Sequence, residues 1–460
     1  MRVSNQIVVS RDEPCFDKIL DYSKAKLSLI NPEYVKKKRM GFWLGNTPKA
    51  INLYQIVNGD LVLPYGALND VLRICPNATV EFGFAEQPCV EYDCSVPLYD
   101  YQIEAVEGMV RGGFGILCSK AGSGKTQVGI ALIARLKRRT LWLTTTKDLL
   151  SQSKERAERY IDKSLLGTIT EGKVNISTGI TFATIQTMCK MDLSLYRDYW
   201  DVIVVDECHR CVSSPTTVTM FGKVVEGLSA RHKYGLTATV HRADGLIEAT
   251  FALLGKVVHT VPDEAIADKV MTVKIQRQNT GTQIHPSCLD TDGTLVHAKL
   301  INYLAGNSRR NFCIANDLVE NADHYNLILS DRLEHLRWLI SAMPDELQEQ
   351  CVMIDGSMTT KKGKAEREQA IEDMRNGKKR YLFASYSLAR EGLDIPRLDR
   401  LYMATPVKDY AVVVQSVGRI ARTFDGKSEP ICYDYVDDIS YLQKMFSHRL
   451  RHYRKGGCLV

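Results

Sequence analysis

The stretch Ser119-Lys120-Ala121-Gly122-Ser123-Gly124-Lys125-Thr126 combines the residue types that wrap an anion. Gly122 and Gly124 permit a backbone curl with its N–H groups pointing inward, which Cβ atoms would obstruct. Lys125 adds a mobile positive charge for the β and γ phosphates of a nucleotide, and the Thr126 hydroxyl suits Mg²⁺. Ser119 stands where the phosphate-loop pattern usually opens with glycine, one small residue for another. Downstream, Asp206 and Glu207 follow four β-branched residues, Val202-Ile203-Val204-Val205. Two carboxylates at the end of a buried strand are costly unless they face a charge. Asp206 suits Mg²⁺ held through its water shell, because Mg²⁺ keeps waters and takes few protein ligands. Glu207 suits a residue that orients and deprotonates an attacking water. His209 either couples this site to another part of the molecule or caps a turn. Gln102, upstream, carries an amide that both donates to and accepts from an adenine edge. The chemistry these residues point to is hydrolysis of a nucleoside triphosphate.

Such groups need a scaffold. The apolar run Ile116-Leu117-Cys118 precedes the glycine loop, and an apolar run of helix length from Val128 to Leu136 follows it. Strand, turn and helix form the setting a phosphate loop requires, with the helix N-terminus adding its dipole. Strand and helix patterns then alternate, as in a parallel sheet with crossover helices. Leu141-Trp142-Leu143 leads to Thr144, Thr145, Thr146 and Lys147 at a strand end, where such sheets bind ligands. Thr181–Thr187, which contains Gln186, repeats the pattern, and Tyr234-Gly235-Leu236 ends in Thr237 and Thr239. Thr145, Lys147 and Gln186 suit a phosphodiester backbone.

In the second half the patterns resume without a second glycine loop. Strand candidates lead to Ser330 and Arg332, to Gly356, and to Ser385. A helix over 361–376 stops at Gly377. Gln415, Arg419 and Arg422 fall on roughly one face of a helix, amid Val412–Val414, Val417 and Ile420.

The first 95 residues differ in texture. Asn58-Gly59 between two apolar runs predicts a hairpin. Lys36-Lys37-Lys38-Arg39 precedes Phe42-Trp43, a pattern in which Lys37 and Arg39 hold phosphates while aromatics stack bases. It equally fits a solvated basic turn beside core aromatics.

The chain's 460 residues, 45% hydrophobic and 25% charged, are globular and long enough for several cores. The net charge of +6 permits a polyanionic partner without demanding one. No run nears the ~20 apolar residues of a membrane span, and the N-terminus has no apolar signal region. The 13 cysteines are scattered singly, so free thiols in a reducing cytoplasm, bacterial or phage-infected, are expected.

Gln102, Ser119–Thr126, Asp206–His209, Gly235–Thr239 and Gln415–Arg422 together resemble the motifs of superfamily 2 DEAD/DEAH-box helicases. The box reads Asp-Glu-Cys-His, with Cys close in size to the family's Ala. Tyr386–Pro396 and the ending Arg449–Lys455 look most like the UvsW/XPB-like phage and bacterial helicases and the poxvirus transcript-release helicases. The resemblance covers residue 97 to the C-terminus. It implies an α/β fold of two tandem RecA-like parallel-sheet domains with a small N-terminal α+β accessory domain. The expected divisions are 1–95, an accessory domain and candidate DNA-binding module; 96–262, ATP-binding; 263–283, a hinge; and 284–460, the second RecA-like domain. The resemblance also implies ATP with Mg²⁺, Arg422 with Arg419 as arginine finger, Gln415 at the water or γ phosphate, and Gly392 and Asp394 at the nucleotide. Thr237 and Thr239 would link hydrolysis to domain movement, and Ser385, where the family usually has Thr, would touch the nucleic-acid backbone. The implied activity is an ATP-dependent DNA helicase or translocase moving 3′ to 5′ on single-stranded or forked DNA with little sequence preference. The rivals are a duplex-DNA translocase that remodels branches, an RNA helicase, a restriction-system motor subunit, and a non-catalytic ATP-gated clamp.

Overall fold

A computed structural model describes every residue except 121, 211, 213–214, 241–244, 267–269, 359 and 391–392, and the side chains of 215–217, 361, 389–390 and 410–411. Ala121 and Gly392, both expected at the nucleotide, lie outside the described residues. The chain divides into two compact units, the first holding Met1–Lys120 and Gly124–Ala265 and the second Ile266–Val460.

The first unit is built on an eight-stranded sheet. Its centre is Thr140–Thr144, Val202–Asp206, His232–Thr237 and Gly115–Cys118, all parallel. Val202–Asp206 is an unbroken β-branched run up to its terminal Asp and is buried throughout, the pattern of a strand covered on both faces. Among the described residues of this sheet, only the edge strand Lys173–Asn175 runs antiparallel to its neighbour, and its three residues are exposed. The parallel arrangement brings the C-terminal ends of the central strands to one edge, where the phosphate-loop and Asp-Glu residues lie.

The N-terminal module packs within this same unit. Its five-stranded sheet pairs Gln55–Val57 with Asp60–Pro64 across the predicted hairpin. Asn58 and Gly59 take φ of 53° and 90° there, the two left-handed residues that a tight hairpin turn needs. Cys15 and Cys75, sixty positions apart in sequence, are brought side by side with Cα atoms 6.1 Å apart. A pair so distant in sequence escapes any search by spacing.

The second unit holds a six-stranded, wholly parallel sheet. One edge strand is Lys274–Asn279, which lies inside the expected hinge 263–283. Its sequence Lys-Ile-Gln-Arg-Gln-Asn is polar because an edge strand keeps one face in water, so its pattern is too weak to read as a strand. The helix Lys361–Arg375 ends before Gly377, whose φ of 76° suits a helix stop. No described helix is long and apolar enough to cross a membrane.

Candidate nucleotide and nucleic-acid sites

The phosphate loop leaves the strand Gly115–Cys118 and enters the helix Lys125–Leu136. Gly122 and Gly124 take φ of 89° and 79°, so the curl uses backbone that only glycine adopts without strain. The Ser119 N–H donates to Thr237 O at 3.0 Å, tying the loop's start to the neighbouring strand. Lys125 is 8% exposed, and its Nζ donates to Ser119 O at 3.2 Å and Lys120 O at 3.4 Å. Lys120 itself pairs with Asp263 at 2.9 Å. Gln102 is buried near the start of the helix Asp100–Gly112, and Tyr99 N donates to its Oε1 at 3.0 Å. Its Nε2 lies so close to Gly124 that a Cβ there would come within 2.4 Å. The adenine candidate and the phosphate loop are therefore brought together.

Asp206 ends its strand buried, accepting from Ser153 Oγ at 3.2 Å and from Glu207 N at 3.0 Å. Burial pushes its carboxyl well above the usual carboxylate range, the Glu207 charge adds to this, and Lys125 opposes it. Among the described residues no lysine or arginine forms an ion pair with Asp206. A buried carboxylate of this kind fits a divalent cation and its waters. Ser153 was not anticipated, because its only signal is a polar residue on the buried face of the helix Lys147–Ala157.

Glu207 adopts φ +47°, a left-handed backbone that side chains avoid. Its Oε1 lies 3.8 Å from Lys125 Nζ and its Oε2 3.3 Å from His209 Nδ1. His209 Nδ1 also meets Thr237 Oγ1 at 2.8 Å. Thr237 donates its hydroxyl proton to Thr239 O at 2.7 Å and accepts from Thr239 N at 3.2 Å. Its proton being used there, Nδ1 of His209 is the donor to Thr237. His209 thus lies between Glu207 and the Thr237–Thr239 pair in a buried chain of contacts. Cys208 fills space against Gly235, where a Cβ would meet its Sγ at 2.8 Å.

In the second unit, Gln415 and Arg419 lie on the helix Tyr410–Ile420, but Arg422 lies past its end. The single helix face expected for all three is corrected accordingly. Arg422 instead bridges to Val270 and pairs with Asp394, while Arg419 donates to Leu393 O at 3.1 Å. Gln415 is buried, and its Oε1 has no partner among the described residues. Arg449, in the C-terminal motif, is buried with both Nε and Nη2 on Asp434 at 2.7 Å.

The nucleic-acid candidates divide. Gln186 is exposed and donates to Thr145 O at 2.9 Å, and the Thr145 hydroxyl is buried without a partner among the described residues. Lys147 pairs with Glu171 at 2.6 Å. Gly356 is exposed and Ser385 half-buried, its Oγ 2.8 Å from Ser387 Oγ. Arg332 donates to Asn302 Oδ1 at 2.6 Å. Ser330 is overturned as a contact: it is fully buried, its Oγ 3.0 Å from His335 Nδ1 and accepting from Arg332 N. In the N-terminal module, Lys37 is held by Glu33 at 2.9 Å and by Thr47 at 2.8 Å. Arg39 is exposed beside Phe42 (58% exposed) and Trp43 (89%), so these aromatics do not belong to a core.

Residues 95–242 match the family model described as Type III restriction enzyme, res subunit. Residues 311–424 match the helicase conserved C-terminal domain. The chain is 27% identical over 343 residues to the "Probable helicase D10" of Escherichia phage T5, covering 74% of this chain and 72% of that protein. It is 24% identical over 375 residues to the "DNA 3'-5' helicase XPB" of Mycobacterium tuberculosis, covering 78% of this chain and 64%, under two thirds, of that one. Identity reaches 31% with the "DNA 3'-5' translocase XPB2" of Sulfurisphaera tokodaii, over 174 residues and 38% of each chain. Among solved structures, Dbp5 of S. cerevisiae bound to RNA and ADP BeF3 aligns with a TM-score of 0.52 at 16% identity, over 77% of this chain and 87% of that one. The ATP-dependent Type ISP restriction-modification enzyme LlaBIII bound to DNA gives a TM-score of 0.56 at 15% identity, over 79% of this chain and 30% of that one. At these identities the two structures share a fold with this chain.

Proposed function

The chain belongs to superfamily 2 of the helicases, ATP-dependent enzymes that act on nucleic acid, and on that footing we propose that it is a DNA motor moving 3′ to 5′. We assign residues 1–95 to a nucleic-acid-binding module and 96–262 and 284–460 to its two motor domains. One observation carries the ATPase reading: Glu207 faces Lys125 with one carboxylate oxygen and His209 with the other. Lys125 and the amides of Ser119–Thr126 would hold the β and γ phosphates, and Gln102 the adenine. Thr126 and Asp206 would hold Mg²⁺, which when bound offsets charge on the phosphates. Glu207 orients and deprotonates the attacking water, while Arg419, Arg422 and Gln415 serve the γ phosphate and Asp394 the nucleotide. The chain His209–Thr237–Thr239 passes the state of Glu207 to the strand end.

DNA is supported by the relatives named as DNA 3'-5' motors and by the exposed Arg39, Phe42 and Trp43. Contacts mainly to phosphates give little sequence preference and strong salt dependence. The test measures ATP turnover with single-stranded, duplex and forked DNA and with RNA, then strand separation on the same forks. Stimulation by DNA with 3′-to-5′ separation is expected. Stimulation by RNA alone overturns the DNA reading, and turnover on duplex with no separated strands replaces unwinding with translocation or branch remodelling.

A further inference from the structure

Lys233, the second residue of the strand His232–Thr237, is fully buried. A lysine in the middle of a parallel sheet needs a reason, because its ammonium loses water on burial. Here the ammonium reaches out of the motor domain into the N-terminal module. Its Nζ donates to Asn5 O at 3.1 Å and to Val225 O at 3.0 Å, and sits 4.9 Å over the Tyr65 ring. Asn5 and Tyr65 belong to the module, Val225 to the motor domain. Around this point the two parts exchange further bonds. Tyr65 OH donates to Arg231 O at 2.9 Å, Asn5 Nδ2 donates to Glu226 O, and Gln6 bonds the Glu226 carboxylate. Burial pulls the Lys233 ammonium down to about 7, with the Glu226 charge opposing.

A second contact is steric. Gly66 of the module faces the end of the motor helix Ile247–Leu254. A Cβ there would lie 2.4 Å from Gly255 N and from Phe251 O and 2.5 Å from Ala252 O, all rigid backbone. Nearby, Lys256 pairs with Asp70 at 2.7 Å, and Tyr22 OH donates to the same carboxylate at 2.9 Å. The segment after the module is also tied down: Val90 N donates to Lys137 O at 3.0 Å and Tyr92 OH to Arg138 O at 2.9 Å. The core of the module includes Phe114 and Ala252 from the motor domain.

We propose that Lys233 pins the N-terminal module to the first motor domain, so that the two move as one body and a strand held by the module is driven by the β-strand ending in Thr237. Lys233 is a positioning residue and has no part in hydrolysis. The inference rests on the motor reading above. It makes the module a fixed wedge, unlike a tethered arm that would bind DNA independently of the ATP cycle.

The full chain is compared with its Lys233→Met and Gly66→Val variants by hydrogen exchange, DNA-stimulated ATP turnover and strands separated per ATP. Methionine keeps the length and loses the donors; valine wedges the contact at Phe251–Gly255. In each variant, exchange over Gln6–Val9 and Asp60–Pro64 should rise about tenfold or more. Strands separated per ATP should fall by a similar factor while ATP turnover stays within about twofold, a split that general loss of folding cannot produce. Wild-type exchange and wild-type yield per ATP in either folded variant overturn the pin. If neither variant folds, exchange in the wild type decides: a module that opens together with His232–Thr237 supports the pin, and one that opens far more readily overturns it. A wild type that hydrolyses no ATP with DNA defeats the motor reading and leaves the exchange result standing.

Discussion

Replacing Glu207 by Gln tests the hydrolytic assignment most directly. The substitution is nearly isosteric and keeps the backbone at φ +47°. It removes the carboxylate that would take a proton from water, a role worth about 10²–10⁴ in rate. That corresponds to about 3–5 kcal/mol on the barrier. ATP binding should move the other way. Lys125 and Glu207 lie 3.8 Å apart with side chains 8% and 19% exposed, and at an effective dielectric of ~20 their attraction is about 4 kcal/mol before desolvation is counted. The amide releases Lys125 toward the phosphates and removes a like charge from their surroundings, so ATP should bind as tightly or a few-fold more tightly. Single-turnover hydrolysis and equilibrium binding of a fluorescent ATP analogue read the two effects separately. Turnover within about tenfold of wild type would refute the reasoning. So would loss of binding in step with loss of turnover, in a variant that unfolds at the same denaturant concentration as wild type.

Three further outcomes follow from the geometry. Thr237→Val deletes the hydroxyl that meets His209 at 2.8 Å and Thr239 O at 2.7 Å; strand separation should fall about tenfold more than ATP turnover, and equal losses would contradict a coupling role. His335 bonds Ser330 and Asn311, each at 3.0 Å, and burial pushes its imidazole down to about 3, with Arg310 adding. Its ordinary value is higher, so the stabilisation is complete above pH ~6.5 and is lost as pH falls toward 3, by about 1.4 kcal/mol per pH unit. Urea unfolding of the second unit, followed by Trp338 fluorescence at a series of pH values, should show that acid slope in wild type and a shallower one in His335→Gln. Trp43→Ala combined with Arg39→Glu should weaken DNA binding and lower the salt-dependence slope by about one for the lost phosphate contact, read from binding titrations at several salt concentrations; an unchanged slope would return Arg39 to a solvated surface.

What the sequence revealed was what its local signals encode. The phosphate loop, the Asp-Glu box and the Asn58-Gly59 hairpin each carry their geometry within a few residues, and the apolar central strands announce a covered parallel sheet. The misses share a different cause. Lys274–Asn279 is a strand only because Ile431–Val436 supplies its partner. Ser330 looks like a strand-end ligand until His335, one turn along the next helix, claims its hydroxyl. Arg422 continues the periodicity of the helix, yet the helix stops at Ile420 and a bridge to Val270 takes over. Ser153 and Lys233 acquire their roles from residues more than fifty and two hundred positions away, at Asp206 and Asn5. No window of sequence contains such pairs.

The shared core of the N-terminal module has a consequence for biosynthesis. The module's residues are complete by about residue 95, yet its apolar cluster is closed by Phe114 and by Ala252. The ribosome therefore finishes the module well before it finishes the surface that covers it. At ~5–20 residues per second, the roughly 157 residues from 95 to 252 take about 8–30 s. Through that interval Val3, Ile7, Leu61, Leu63 and Val71 have one side still uncovered, and the module's strands wait beside unfinished chain. Nascent chains of this protein should thus engage holding chaperones early. Fragments ending before Gly255 should aggregate where the whole chain stays dispersed.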